Sequence, residues 1–392
     1  MNTSVPDATI LNAIGNTPLV TIKRLNPNPR VKIMAKLEYF NPGGSVKDRA
    51  ALYMIEAGER SGQLVAGKTV IEATSGNTGI GLALVCAVKG YKLLLTMSES
   101  ASQERQKILR ARGADILLTP SHLSTDGAIE EAYRLARKYP ERYYLTDQFN
   151  NVANWKAHYH TTAVEIWHQT GGQISAVVVT LGTSGTAMGL ARRFKSYDPK
   201  IKMVGVEPFR GHKVQGLKNM MESYRPEIYE PRRLDLKLNV DDETAFEMTR
   251  ELAKKEGLFV GMSSGAALAA AQSLAKEIDG GNIVVIFPDG GERYLSTPLF
   301  DVQRSDAIAL YDTASRRKRT FTPLAPGKVA MYVCGPTADA PCRIEQCRRY
   351  VVADLLARYF LFRGFDVKQV TNITDYDDKT IEGSAADQQE LA

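Results

Sequence analysis

Short apolar runs separated by longer amphipathic stretches set the rhythm of this 392-residue chain. The runs at residues 69–71, 93–96, 116–118, 176–180, 203–206 and 283–287 have the length of buried strands, and the stretches between them are long enough for helices. Such alternation predicts parallel sheets wrapped by helices, because a parallel crossover needs a connection that can hold a helix. The order of the runs predicts an α/β protein with two lobes and mainly parallel sheets. One lobe holds roughly residues 40–150 and the other is built mainly from the later strands. Ligands in such folds gather at strand C-terminal ends, often between lobes. Near the end of the chain a small β-α-β unit is predicted, with a strand at 329–333, an amphipathic helix over about 347–362 and a strand at 366–370. On that helix Val351, Val352, Leu355, Leu356, Tyr359 and Phe360 form a stripe that needs a surface to cover it. No internal repeat or low-complexity tract interrupts the pattern.

Composition narrows the class. With 44% hydrophobic and 24% charged residues the chain has the profile of a soluble globular protein, and its length predicts about two to three domains. A net charge of +6 implies no polyanionic partner, and the dense basic run Arg316-Arg317-Lys318-Arg319 reads as a solvated linker, so no nucleic-acid partner is expected. The first residues lack the basic-then-apolar pattern of a signal peptide, and no window reaches the roughly 18 apolar residues of a membrane span, so a cytoplasmic protein without membrane partners is expected. Of the four cysteines, Cys334, Cys342 and Cys347 have neither paired spacing nor a neighbouring histidine, and Cys86 stands alone. They read as reduced thiols, with no metal site.

Candidate chemistry centres on Asn-Pro-Gly-Gly-Ser-Val-Lys-Asp-Arg, residues 41–49. Residues 31–38 predict a strand and 48–60 a helix, so Lys47 opens a helix after a glycine-rich turn. There the positive end of the helix dipole and partial desolvation both favour the neutral, nucleophilic amine, which can form a Schiff base. Three further polar, glycine-containing turns follow apolar runs. Thr74-Ser75-Gly76-Asn77-Thr78-Gly79 precedes an apolar helix, as an anion-binding turn or an ordinary capping turn does. Gly182-Thr183-Ser184-Gly185-Thr186 can cradle a phosphate, yet its spacing fits neither a nucleoside triphosphate nor a dinucleotide loop. Gly261-Met262-Ser263-Ser264-Gly265-Ala266 enters an alanine-rich helix, whose tight packing alone would explain the small residues. An amine nucleophile with separate anion- and phosphate-binding turns suits pyridoxal phosphate better than other common cofactors.

These stretches resemble the cysteine synthase (O-acetylserine sulfhydrylase) and cystathionine β-synthase family of fold-type II pyridoxal-phosphate enzymes. The matching motifs run from Ile-Gly-Asn-Thr-Pro-Leu-Val at 14–20 to Gly-Glu-Arg-Tyr-Leu-Ser-Thr at 291–297. Glu-Ala-Thr-Ser-Gly-Asn-Thr-Gly at 72–79, the serine within the phosphate loop and Asp-Gln-Phe-Asn at 147–150 resemble the B-type isozyme, whereas His-Lys-Val-Gln-Gly at 212–216 resembles the A type. The resemblance implies that Lys47 is the catalytic, Schiff-base lysine, that Asn77 partners the cofactor's phenolic oxygen, that Gly182, Thr183, Ser184, Gly185 and Thr186 hold its phosphate, and that the Ser263 hydroxyl faces its pyridine nitrogen. It gives the substrate carboxylate to Thr74, Ser75, Gly76, Thr78 and Gln148, and implies a homodimer acting on small molecules. A neutral hydroxyl at the ring nitrogen makes a weaker electron sink, which favours expelling a β-leaving group. The implied activity is β-replacement, making L-cysteine from O-acetyl- or O-phospho-L-serine with sulfide or another sulfur donor. A cystathionine or diaminopropionate synthase, or a partner-binding protein that kept the cofactor site, are the alternatives. Lys218, just past the 212–216 motif, could favour O-phosphoserine but reads first as a surface lysine.

From about 308 to 381 the chain resembles the beginning of cysteinyl-tRNA synthetase, through Pro-Gly-Lys-Val-Ala-Met-Tyr-Val-Cys-Gly-Pro-Thr at 326–337 and Thr-Asn-Ile-Thr-Asp-Tyr-Asp-Asp-Lys at 371–379. Where that family has His-Ile-Gly-His for the ATP phosphates, this chain has Arg343-Ile344-Glu345-Gln346. Cys334 matches a first zinc ligand, but the other ligands and the tRNA-binding region do not follow within the 392 residues, so no cysteinyl-tRNA ligase activity is expected. The expected organisation is a pyridoxal-phosphate domain over 1–306, with its mobile lobe at about 40–150, a degenerate synthetase-like module over 307–381, and a tail over 382–392.

Overall fold

The computed structural model describes residues 8–101, 103–221, 225–300, 308–336, 344–374, 378 and 381. The chain divides into two compact units, one within Met1–Asp301 and one within Val302–Ala392.

In the first unit the chain runs β1 (Leu19–Ile22), β2 (Val31–Leu37), α1 (Lys47–Arg60), β3 (Thr69–Ala73), α2 (Asn77–Lys89), β4 (Lys92–Ser98), α3 (Gln103–Ala111), β5 (Ala114–Thr119), α4 (Ser124–Lys138) and β6 (Tyr143–Leu145). It continues through α5 (Val152–His160), α6 (Thr162–Thr170), β7 (Ala176–Thr180), α7 (Gly185–Tyr197), β8 (Lys202–Pro208), β9 (Leu236–Val240), α8 (Asp242–Glu251), α9 (Met262–Glu277) and β10 (Gly281–Phe287). These strands make two sheets. One has four parallel strands in the order β5-β4-β3-β6; the other has six in the order β1-β2-β10-β7-β8-β9, parallel except for the antiparallel β1-β2 pair.

Both faces of the larger sheet are covered, and this explains its uninterrupted apolar runs. Ile33, Ala35, Val178, Ile283 and Val285 point to one face, where α9 packs, while Met34, Val177, Val179, Val284 and Ile286 point to the other with residues of α6 and α7. The smaller sheet is sandwiched in the same way, with Val70 in one core and its neighbour Ile71 in another. All six predicted apolar runs lie within strands of these sheets. Three strands escaped the apolar pattern. β6 has only three residues, whereas β1 and β9 sit at sheet edges, and β9 carries Lys237 and Asn239 facing water.

The second unit contains β11 (Ala309–Asp312) paired antiparallel with β12 (Arg317–Thr320), then β13 (Lys328–Val333), α10 (Ile344–Phe362) and β14 (Asp366–Thr371), with β13 and β14 parallel. The β-α-β prediction holds, but the basic run 316–319 is no linker. Arg316 sits in a left-handed turn with φ 52° and Arg317, Lys318 and Arg319 form the exposed strand of a hairpin, with Arg319 near Asp312. The predicted stripe on α10 is also divided. Phe360 is buried with Ala353 and Ala357 and clusters with Phe321 and Phe365, whereas Val351, Val352 and Leu355 remain exposed. Ala353, Ala357 and Phe360 share one face at helical spacing, and the small alanines let that face approach closely. Arg343 and Cys342 lie outside the described residues.

Candidate active site

Lys47 reaches its place through an unusually constrained turn. The Gly44 N–H donates to the Asn41 carbonyl at 2.7 Å, Gly43 donates to the Asp48 carboxylate, and Gly44 adopts φ +81°, where a side chain would be strained. The Val46 N–H donates to the Pro288 carbonyl at 2.8 Å, which fixes the start of α1 against the loop after β10. Two residues beyond Lys47, Arg49 is fully buried; its Nε donates to Glu38 Oε2 at 2.7 Å and its Nη1 to Glu165 Oε1 at 2.5 Å. Lys36 Nζ, also buried, donates to the other Glu165 oxygen at 2.7 Å. This network anchors α1 to β2 and α6. A buried charge is tolerable only when paired in this way, so the network fixes orientation as well as contributing energy.

The turns that follow β3, β7 and β10, the start of α1 and the start of α9 converge on one cavity of about 320 Å³. Every candidate site residue lines it: Lys47, Thr74, Ser75, Gly76, Asn77, Thr78, Gln148, Gly182, Thr183, Ser184, Gly185, Thr186 and Ser263. The convergence follows from parallel topology, which puts the C-terminal ends of neighbouring strands side by side. The Lys47 amine is enclosed by these loops and donates to Thr183 Oγ1 at 3.4 Å. Burial lowers its pKa to about 8, with the Asp289 carboxylate pulling the other way. On the β3 side, the Thr78 hydroxyl donates to Gln148 Oε1 at 2.7 Å. Below them the buried Glu72 carboxylate accepts from the Thr146 hydroxyl at 2.6 Å and the Gln148 N–H at 3.0 Å; burial pushes its pKa up to about 7.

The loop after β7 fits a phosphate. Ser184 has φ 67°, a left-handed conformation at the start of α7, and a helix start of this kind offers backbone N–H groups to an anion. Its hydroxyl is buried and has no partner among the described residues. Gly185 has no room for a side chain, since a Cβ there would stand 2.0 Å from Asn154 Oδ1. A buried hydroxyl without a protein partner is what a bound anion would satisfy. At α9 the third turn both borders the cavity and packs tightly. Ser263 lines the cavity, and a Cβ on Gly265 would meet Thr249 Oγ1 at 2.1 Å, so small residues are also needed where α8 packs on α9.

Sequence reasoning missed one member of the site and misjudged another. Asp289, buried in the loop after β10, accepts from Asn77 Nδ2 at 2.7 Å and from the Tyr294 hydroxyl at 2.6 Å. Its signal was available, because Asp-Gly-Gly at 289–291 is another polar glycine turn after an apolar run. Lys218 is no surface lysine; it lines the cavity with its ammonium 4.5 Å from the centre of the Phe149 ring, and burial lowers its pKa.

Comparison with known proteins places these features in context. Residues 10–289 match the family described as pyridoxal-phosphate dependent enzyme, and residues 320–392 match the class I (C) tRNA synthetase catalytic domain. A cysteine synthase of Aquifex aeolicus is 50% identical over 300 residues, which is 74% of this chain and 92% of that protein. Cysteine synthase B of Escherichia coli is 42% identical over 293 residues, 75% of this chain and 96% of that protein. Among solved structures, a cysteine synthase of Entamoeba histolytica superposes with a TM-score of 0.72 at 38% identity, covering 77% of this chain and 94% of that one.

Proposed function

The chain belongs to the pyridoxal-phosphate dependent enzyme family, and from that premise we propose a cysteine synthase-type transferase that makes L-cysteine by replacing the β-substituent of an activated L-serine with sulfur. The observation that carries the reading is the enclosed Lys47 amine in one cavity with the phosphate-fitting loop and the Thr74 to Gln148 cluster. When bound, pyridoxal phosphate supplies an aldehyde that bonds an amine and a ring that draws electrons from the substrate's α-carbon. Lys47 Nζ is the atom positioned to bond that aldehyde and, once released, to accept the α-proton as general base. Thr183, Ser184 and Thr186 supply hydroxyl donors for the phosphate, with the backbone of Gly182 and Gly185. Asn77 Nδ2, held by Asp289, would be the donor for the cofactor's phenolic oxygen, and the Ser263 hydroxyl would be the neutral partner of its ring nitrogen. Thr74, Ser75, Gly76, Thr78 and Gln148, which line the same cavity as Lys47, would hold the substrate carboxylate.

The half-buried Lys218 favours a second reading of the substrate, O-phospho-L-serine in place of O-acetyl-L-serine, because a cation in the cavity would offset the charge of a departing phosphate. Comparing kcat/KM for the two substrates tests it. Lys218→Gln should depress the O-phosphoserine value selectively, and equal loss on both substrates would remove the reading. We extend the proposal to a catalytic domain over 1–306, a synthetase-like module over 307–381 without ligase activity, a tail over 382–392, and a cytoplasmic homodimer. Among the described residues no helix is long and apolar enough to cross a membrane.

A further inference from the structure

Beneath the loop after β7, helix α5 carries Asn154 and His158 one turn apart on the same face, both buried. Asn154 Nδ2 donates to the Gln148 carbonyl at 2.7 Å and to Thr183 Oγ1 at 3.2 Å. His158 lies between two hydroxyls, with Nδ1 2.9 Å from Thr162 Oγ1 and Nε2 3.3 Å from Thr186 Oγ1. Neither His158 nor Thr162 lines the cavity, whereas Thr186 does.

Burial lowers the His158 pKa to about 3; Arg49 and Lys47 add to this and Glu38 and Glu165 oppose it, so the ring is neutral and has one N–H and one bare nitrogen. Only two arrangements are then available. If Nε2 is bare, it accepts the Thr186 hydroxyl proton, and Thr186 turns lone pairs toward the cavity, where they would repel an anion. If Nε2 carries the proton, it donates to Thr186 Oγ1, the Thr186 hydroxyl is free to donate into the cavity, and the bare Nδ1 accepts from the Thr162 hydroxyl. Each bond in the second arrangement polarises the next.

We propose that Thr162 and His158 are positioning residues, forming a neutral hydrogen-bond chain from Thr162 O–H to His158 Nδ1 and from His158 Nε2–H to Thr186 Oγ1 that aims the Thr186 hydroxyl at the phosphate. The proposal rests on the reading of residues 182–186 as the phosphate loop. It explains why a neutral histidine stands beside an anion site: the helix start and the loop N–H groups supply the positive potential, and the imidazole supplies direction.

The test compares two aldehydes, pyridoxal 5'-phosphate and pyridoxal, which lacks the phosphate, by titrating cofactor-free protein and following the visible band. Thr162→Val keeps the side-chain shape and does not touch the cavity; His158→Leu removes the donor outright. Each variant should weaken the phosphate ester by roughly tenfold or more, the scale of one charge-assisted hydrogen bond, and leave pyridoxal affinity unchanged. Generalised damage to the fold would weaken both aldehydes alike, and that result overturns the proposal. Nitrogen NMR of the wild-type protein, labelled at histidine and given inorganic phosphate, should show His158 protonated at Nε2; protonation at Nδ1 overturns the proposal without any variant having to fold. Wild-type protein with no preference for the phosphate ester would instead refute the phosphate reading of the loop, and this proposal with it.

Discussion

The amine of Lys47 should be far more reactive at neutral pH than an ordinary lysine, and the structure gives the size of the effect. With a pKa of about 8 in place of 10.5, its neutral fraction at pH 7 is about 10% instead of about 0.03%, roughly a 300-fold gain in nucleophile. The sign follows from the causes: burial disfavours the ammonium, while the Asp289 carboxylate favours it. The assay mixes cofactor-free protein with pyridoxal 5'-phosphate from pH 6 to pH 10 at fixed ionic strength and follows the rate at which the yellow band appears. N-acetyl-lysine serves as the reference for the cofactor's own ionisations. The protein's rate should rise about tenfold per pH unit below pH 7 and flatten near pH 8, whereas the reference amine's rate goes on rising toward about pH 10, so that their ratio falls above about pH 8. Asp289→Asn keeps an oxygen acceptor for Asn77 and Tyr294 but removes the charge, so the flattening should move to lower pH. A rate that climbs without a break to pH 10, or an Asp289→Asn profile that moves to higher pH, would refute the reasoning.

Other expectations concern the frame. Arg49→Met should cost about 3–5 kcal/mol in denaturant unfolding, because it leaves the Glu38 carboxylate buried without its cation; a loss below about 1 kcal/mol would mean that water reaches the network. Cys86, whose pKa burial pushes up to about 12, should resist iodoacetamide at pH 8 in the folded protein, since only about one thiol in ten thousand is ionised there, while the exposed Cys334 and Cys347 react. Peptide mass mapping before and after denaturation reads this directly. The full chain should give no cysteine-dependent ATP–pyrophosphate exchange, because Glu345 sets a carboxylate at the start of α10 where the resembled family has a glycine near the triphosphate. Measurable exchange would restore ligase activity to the second unit.

Much of this architecture was legible because the central strands are buried on both faces and therefore write themselves as apolar runs, as residues 176–180 and 283–287 do. The site was legible for a related reason, since parallel strands bring the turns after them together however far apart they lie in sequence. Edge strands carry no such mark, and β9 reads as a polar segment. His158 and Thr162 were invisible because their role depends on Thr186, more than twenty residues away, and a buried histidine in a helix has no signature of its own. Lys218 was misjudged because only the tertiary path shows that its ammonium turns over Phe149 and into the cavity. The division of the α10 stripe depends on which side the short β13-β14 sheet occupies, and helical periodicity alone does not fix that.

The most direct measurement is product formation. Purified protein reconstituted with pyridoxal 5'-phosphate is given carbon-13-labelled O-acetyl-L-serine or O-phospho-L-serine with sulfide and followed by NMR, with Lys47→Ala alongside. The expected result is labelled L-cysteine with release of acetate or phosphate from the wild-type chain and none above background from the variant. A yellow wild-type protein that binds both activated serines yet leaves their β-substituents in place, or a Lys47→Ala variant that turns over at the wild-type rate, would contradict it.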